Sequence, residues 1–500
     1  MGFFGRWVGR MPYHPQPETT FPGPLTPENL EAIFTDCADF GQKEVVCTDG
    51  RTYQLFWING QVKSERLNDY VIRPLVTGPA PDCAGALKTL LEGGLWNFAV
   101  ETRDTLDSVV ADLINGWVAI FLPEGKQVVT CAVPTEEKRS VQPPLNENEP
   151  KGARDSFVES VRTNTSLVRR RLRAPHLKIR EAQVGRRTAS PVDLLWVEGI
   201  TDPQLVDKLW NRLQQIDIDG LLSTGDLEEY LVDSRRTVFP QILFTERPDR
   251  FCRGLLDGRV GILADGIPLG ALAPGDVAQF MQTDQDRCYH WLAASSLMVL
   301  RYLCLLITLL LPGFYVAVAT FHFEAIPTRL AMSIIASKQD VPFTTPVEVV
   351  GLLIAFEILQ EAGQRLPATI GQTVSIIGGL VVGQAAVDAK ILSPVVVIVV
   401  ATTGITGFTM PNQDFANALR IWRLVIALLA GLVGFFGMMA GFVFLVLHLA
   451  DLEAFGVAYL APFATAAGQQ TQGHAVIRQW LPAVKLREVS LHPQNLRRQK

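Results

Sequence analysis

Cysteine and histidine are scarce in these 500 residues, seven of each. Cys37, Cys47, Cys83, Cys131, Cys252, Cys288 and Cys304 form no C-x-x-C pair, and the histidines do not cluster near them. That excludes a zinc-type site and gives no disulfide framework; buried or interfacial thiols facing a reducing compartment are the expectation. A strong excess of one charge is missing too. Forty-five basic against fifty acidic residues leave a net charge of −5, which gives a polyanion-binding role no global support. No Walker loop, nucleophile–base grouping or paired catalytic carboxylate stands in the polar half, so neither an enzyme nor a bound cofactor is expected. The start, MGFFGRWVGRMPYHPQPETTFPGPL, is no secretory signal, because its apolar run is short and Pro12, Pro15, Pro17, Pro22 and Pro24 break it. Residues 1–25 read as a flexible tail, and the polar half that follows is expected to stay in the cytoplasm.

What is present in quantity is apolar. Hydrophobic residues make up 48% of the chain, and the long apolar runs come only after Trp291. A soluble half is therefore joined to a membrane half. In the soluble half, Thr26 caps a helical pattern that runs to Asp39, with Pro27 in its first turn. TYQLFWI at Thr52–Ile58 reads as a strand, Asn59-Gly60 as a turn, and Ser64 opens a helix ending before Pro74. Strands at Trp117–Leu122 and Val128–Val133 form a hairpin around Pro123-Glu124-Gly125. The order recurs with DLLWV at Asp193–Val197, the turn Glu198-Gly199, a helix opened by Asp202-Pro203, and a hairpin from Gly258 to Leu272. Trp57 corresponds to Trp196 and Gly60 to Gly199. The fold expected is an α/β N-terminal half of two similar strand–helix–hairpin modules, then an α-helical multi-span membrane domain. The boundaries read as a first module over 26–140, a linker and basic helical segment over 141–190, a second module over 191–285, a membrane domain over 286–465 and a basic tail over 466–500.

The basic segment holds Arg169, Arg170 and Arg171 on a helical pattern. It reads either as a solvated face or as a surface pairing with carboxylates of a neighbouring copy. Nucleic acid is not expected, since no aromatic residues interleave the arginines. In the membrane half, Pro346–Leu366 is too polar for a lipid-facing helix. Glu357, Glu361 and Arg365 recur at steps of four and are expected to share a face and pair. The segment is an amphipathic or re-entrant helix among spans, or an interfacial one. Gly371, Ser375, Gly379 and Gly383 form a smooth ridge for helix packing, with Gln372, Gln384 and Asp388 on the adjacent face. That ridge serves intrachain packing, or the helix lines a water-filled axis between copies. Ser393-Pro394 starts a span to Phe408, and Leu419–Leu449 reads as one further span headed by Arg420 and Arg423. Counting the run from Trp291 to Phe321 and the 371–390 helix makes four crossings. Arg420 and Arg423 fit that count poorly, which leaves five open.

Several words of this half resemble one family. VPFTTPVE, FEILQEAGQRLP, IGGLVVGQAAV and SP…FTMPN, with LPGFYVAV…FHFEAIPT, TERPD and the RDSF…RRR stretch, are similar to the A-type subunits of the GerA family of spore germination proteins. The resemblance implies a nutrient germinant receptor subunit in the inner membrane of a bacterial endospore. It implies a transporter-like B-type partner, a lipoprotein C-type partner, contact with membrane lipid, and a homo-oligomer, a pentamer by expectation, that forms or gates an ion channel. Gln372, Gln384 and Asp388 are then candidate pore-lining residues, and Glu357, Glu361 and Arg365 a candidate gating face. An accessory channel of the stage V sporulation AF type and a non-conducting receptor scaffold share these words.

Overall fold

The computed structural model describes residues 20–47, 50–77, 90, 91, 95, 99–122, 127–134, 144, 147, 151–365, 383–464 and 475–499. The first module opens with α1 (Pro27–Ile33), whose Thr26 side chain accepts from the Asn29 N–H. β1 (Phe40–Val46) pairs antiparallel with β2 (Thr52–Ile58). A helical stretch follows, made of α2 (Ser64–Leu67), a π-helical turn at Asn68–Ile72, and α3 (Arg73–Thr77). β3 (Val100–Arg103), α4 (Leu106–Ile114), β4 (Trp117–Phe121) and β5 (Val128–Ala132) complete the sheet, in the order β1-β2-β4-β5-β3.

α5 (Val161–Arg171) leads into the second module. There β6 (Leu177–Val184) and β7 (Ser190–Val197) form a hairpin, followed by α6 (Pro203–Gln214) and α7 (Thr224–Leu231). β8 (Leu243–Thr245), α8 (Pro248–Asp257), β9 (Val260–Ala264) and β10 (Gly270–Ala273) follow. The sheet order β6-β7-β9-β10-β8 repeats that of the first sheet, and every pairing in both is antiparallel. The chain leaves β2 and β7 through left-handed glycines, Gly60 at φ +82° and Gly199 at φ +77°, where a Cβ would be strained. The second sheet begins at Leu177, so the boundary expected at 191 falls inside its first hairpin. Lys178, Arg180 and Glu181 hide β6 from a reading based on apolar alternation.

The arginine run is neither a solvated face nor a surface left for a neighbour. Arg169 is 1% exposed and grips the buried Asp39 of the first module with two hydrogen bonds, 2.7 and 2.9 Å. Arg171 pairs with Asp155 at 2.5 Å. Around that pair, the Ala38 N–H donates to the Ile179 carbonyl at 2.8 Å, and Lys178 donates to the carbonyls of Ile33 and Thr35.

The helical half comprises α9 (Val277–Met281), α10 (Gln285–Cys288), α11 (Trp291–Phe321), α12 (Thr328–Lys338) and α13 (Thr345–Arg365), then α14 (Gly383–Asp388), α15 (Pro394–Gly407), α16 (Gln413–Val433) and α17 (Phe435–Asp451). α11 runs continuously through Pro312 and packs against α13, α15, α16 and α17. The expected single span over Leu419–Leu449 is instead a helical hairpin. The chain turns at Gly434, φ +67° and ψ −141°, a conformation only glycine adopts readily, and α17 folds back on α16. A Cβ at Gly437 would overlap the Leu429 carbonyl, so the glycines serve close backbone approach. Residues 475–499 return to the second module. The Gln494 N–H donates to the Ile200 carbonyl at 2.9 Å, and Arg498 lies 3.2 Å from Asp257.

Removing one partner of a fully buried ion pair strands the other charge. Arg169→Met in the full-length protein is expected to cost about 3–5 kcal/mol, and the double variant Asp39→Leu, Arg169→Met to recover most of that loss, read as the thermal midpoint. Equal midpoints for wild type and Arg169→Met would contradict a role for the pair in joining the modules.

Candidate functional site

The polar groups buried in an otherwise apolar helical bundle define the site. α13 starts with Pro346 in its first turn, where its missing N–H is not needed. One helical step on, Glu348 is 1% exposed. One of its oxygens accepts from the Ser393 N–H at 2.8 Å, at the N-terminus of α15. The other lies 3.1 Å from Lys338 Nζ, and that ammonium also donates to Thr345 Oγ1. The N-terminal end of α15 and the lysine both bring positive charge to this carboxylate. The buried hydroxyl of Tyr315 on α11 reaches the same place. Glu348 and Lys338 lie outside the set picked out by step-of-four spacing. The usable signal is Glu348 itself, a carboxylate at the head of a membrane-grade apolar helix.

Glu357 does not share its partner with Glu361 and Arg365. It pairs with Arg423 of α16, which is 2% exposed, and Arg420 lies 3.5 Å from its second oxygen. One turn later Glu361 and Arg365 pair with each other at 2.6 Å, both exposed. A step of four residues overshoots a full helical turn by about 40°, so over eight residues the stripe rotates from the α16 contact out to the surface. The structure thus splits the trio into a buried link between helices and a surface pair, and the latter contributes roughly 0–1 kcal/mol.

Gly371, Gln372, Ser375 and Gly379 lie outside the described residues. Gly383, Gln384 and Asp388 lie on α14. Gly383 is buried, 3.6 Å from Val397 measured from an ideal Cβ, which is ordinary contact. Gln384 and Asp388 are exposed on this single copy. After α14, Lys390 pairs with Asp340 at 2.5 Å on the surface. Large apolar side chains also point outward from the bundle, among them Ile398, Ile405, Leu432, Phe436 and Phe444.

The bundle is continuous with the second module. Phe280 of α9 stacks on Phe415 of α16 with ring centroids 5.9 Å apart, and Phe239 lies 5.8 Å from Phe415. Tyr459 packs on both Phe239 and Phe280, and its carbonyl accepts from the Val277 N–H at 3.0 Å. Arg301 near the start of α11 turns back to Asp286, at 2.9 and 3.1 Å, and to the Met281 carbonyl. At the same junction Glu228 of α7 is pushed up to about 7, first by burial and then by the facing Asp414 carboxylate. Among the described residues no grouping of histidine, cysteine and acid could hold a metal.

Comparison with known proteins now bears on this geometry. The family model described as "Bacillus/Clostridium GerA spore germination protein" matches residues 28–490. The chain belongs to the GerA family. Spore germination protein KA of Bacillus subtilis is 36% identical over 83% of this chain and 76% of its own length, and spore germination protein B1 of the same organism is 35% identical over 83% and 86%. A third relative from that organism, YfkQ, described as an uncharacterized membrane protein, is 37% identical over 87% of this chain and 84% of its own. The crystal structure of the N-terminal domain of the A subunit of the Bacillus megaterium spore germinant receptor GerK3 aligns with a TM-score of 0.39 and 25% identity, covering 51% of this chain and 96% of that one. In this GerA-family chain, the pairs Glu348–Lys338 and Glu357–Arg423 lie within the helical bundle, and Gln384 and Asp388 are exposed.

Glu228 gives a pH test. Its folded value, near 7, lies above its ordinary value of 4.5. Its contribution to stability is therefore fully present below 4.5 and is lost as pH rises toward and through about 7. Glu228→Gln is expected to raise the thermal midpoint at pH 8, by roughly 1–2 kcal/mol of stability after solvent screening, and to leave it unchanged at pH 4.5. An equal effect of the substitution at both pH values would contradict the junction electrostatics.

Proposed function

We propose that this chain is the A-type subunit of a nutrient germinant receptor in the inner membrane of a bacterial endospore, with its N-terminal half on the spore-core side. It works with a transporter-like B-type subunit and a lipoprotein C-type subunit. Copies assemble in the lipid bilayer, as a pentamer on the family's pattern, and form or gate a channel for monovalent cations. Family membership supports the receptor setting. Helix dimensions support the membrane setting. α11 and α16 are long and apolar enough to cross a bilayer, and at 1.5 Å per residue they measure about 46 and 31 Å against a hydrocarbon thickness of ~30 Å. The outward-facing apolar side chains suit lipid contact.

The observation that carries the channel reading is the Glu357–Arg423 link. A carboxylate and a guanidinium held between two helices of an apolar bundle are expensive in membrane-grade sequence and mark a working element there. The link ties α13 to α16, and α16 is packed through Phe415 on the second module. A displacement of that module therefore reaches α13 directly, and α13 precedes the candidate pore-lining segment. Gln384 and Asp388, exposed on one copy, are placed to face water when copies surround an axis. Gln372 belongs to the same face by spacing.

Single-channel recording of the reconstituted full-length protein tests this. Wild type is expected to conduct, and Gln384→Ala and Asp388→Asn to change unitary conductance about two-fold or more without changing assembly. Wild-type conductance in both variants would remove the pore assignment, and a silent wild type would favour a scaffold. A charge exchange probes the link: Glu357→Arg and Arg423→Glu singly are expected to impair gating, and the double variant to recover most of it. No recovery in the double variant would sink the coupling role.

A further inference from the structure

A cavity of about 120 Å³ lies where α8, the loop before α10 and the returning C-terminal segment meet. It has no part in the channel reading. Five arginines and four acids line it, and the ion pairs account for every acid. Asp257 is taken by Arg498 at 3.2 Å, Asp276 by Arg259 at 2.5 Å, and Asp284 by Arg253. Glu488 lies 3.4 Å from Arg259 and accepts from Ser490 Oγ at 3.0 Å. The fifth arginine of the lining besides Arg253, Arg259, Arg498 and Arg287 is Arg250, which is held by Glu147 at 2.7 Å and by backbone carbonyls. Arg287 remains. Among the described residues its guanidinium has neither an ion pair nor a hydrogen bond, and the side chain is half-buried.

A guanidinium carries five N–H donors and no acceptor, so the partial loss of water around it leaves donors available to a ligand. The surroundings also disfavour its charge. Burial and then the Arg287 charge hold Arg253 down at about 10, and burial likewise holds Arg287 below its ordinary value. Two like charges therefore face one cavity. Glu488 is pushed up to about 7 by burial and Asp276, so its opposing negative charge is partly withdrawn near neutral pH. The space is large enough for several waters or one small anion.

We propose that this cavity is a binding site for a small oxyanion, a phosphate-type group, which Arg287 grips with its N–H fork while the second face of Arg253 completes the cradle. Planar N–H forks match such oxygens in pairs, and the bound charge relieves the Arg253–Arg287 repulsion. The site joins the second module, the entry to α11 and the C-terminal segment, so its occupancy tightens three parts of the chain. Free phosphate and the headgroup of an anionic lipid offer the same group.

The thermal midpoint of the full-length protein separates the sources. With inorganic phosphate against chloride at equal ionic strength in detergent, wild type is expected to rise and saturate, with the apparent affinity at least ten-fold weaker in Arg287→Lys and the response absent in Arg287→Leu. Arg186→Leu, a substitution at an exposed arginine on the second module, is expected to respond as wild type. If the rise appears only in phosphatidylglycerol nanodiscs and not in phosphatidylcholine ones, with the same dependence on Arg287, the headgroup is the ligand. No rise in either setting, or a rise that persists in Arg287→Leu, overturns the site.

Discussion

A charge withdrawn from water must be met by an opposite charge or by donors, and that constraint fixes how the parts of this chain sit. Between the modules, Arg169 meets Asp39. Between the second module and the long helix, Arg301 meets Asp286. Within the helical half, Glu348 is met by Lys338 and the N-terminus of α15, and Glu357 by Arg423. The Arg169–Asp39, Glu348–Ser393 and Glu357–Arg423 contacts join segments far apart in sequence, and each becomes costly if one side moves away. Apolar packing supplies most of the driving force for burial but tolerates repacking. The ion pairs set which element faces which.

The hydrophobic core runs from the second module into the bundle without a break, through Phe239, Phe280, Phe415 and Tyr459. These aromatic side chains pack at the N-terminal end of α16, the helix that carries Arg423. Small shifts in such packed contacts are resolved between discrete arrangements and not absorbed gradually. Among the described residues the first module contacts the second through α5 and β6, at Asp39, Ala38, Ile33 and Thr35. Glu357 of α13 is joined to this packed core through Arg423 of α16.

Much of the soluble half is legible in the residues. Thr52–Ile58 and Trp117–Phe121 are strands because aromatic and β-branched residues cluster between turn signals, and Gly60 and Gly199 stand where left-handed backbone is needed. β1 and β6 were missed because their exposed faces are charged, as in Lys43, Glu44, Arg180 and Glu181. The fate of Arg169 was hidden as well, since a run of arginines on a helix has no local sign of the one aspartate that waits 130 residues upstream. In the helical half, composition marks apolar runs but not where they bend. The hairpin at Gly434 depends on backbone approach between α16 and α17, which spacing of glycines hints at without giving direction. The step-of-four rule put Glu357, Glu361 and Arg365 on one face, whereas tertiary packing pairs Glu357 with Arg423 and leaves Glu361 to Arg365.

The channel proposal requires that Gln384 and Asp388 line a wet axis shared by several copies. Electron cryomicroscopy of the full-length protein in lipid nanodiscs tests it most directly. The account predicts particles with closed rotational symmetry and the segment containing Gln384 and Asp388 lining a solvent-filled centre. Single-copy particles, with those two side chains turned to lipid or sealed within one chain, would contradict it.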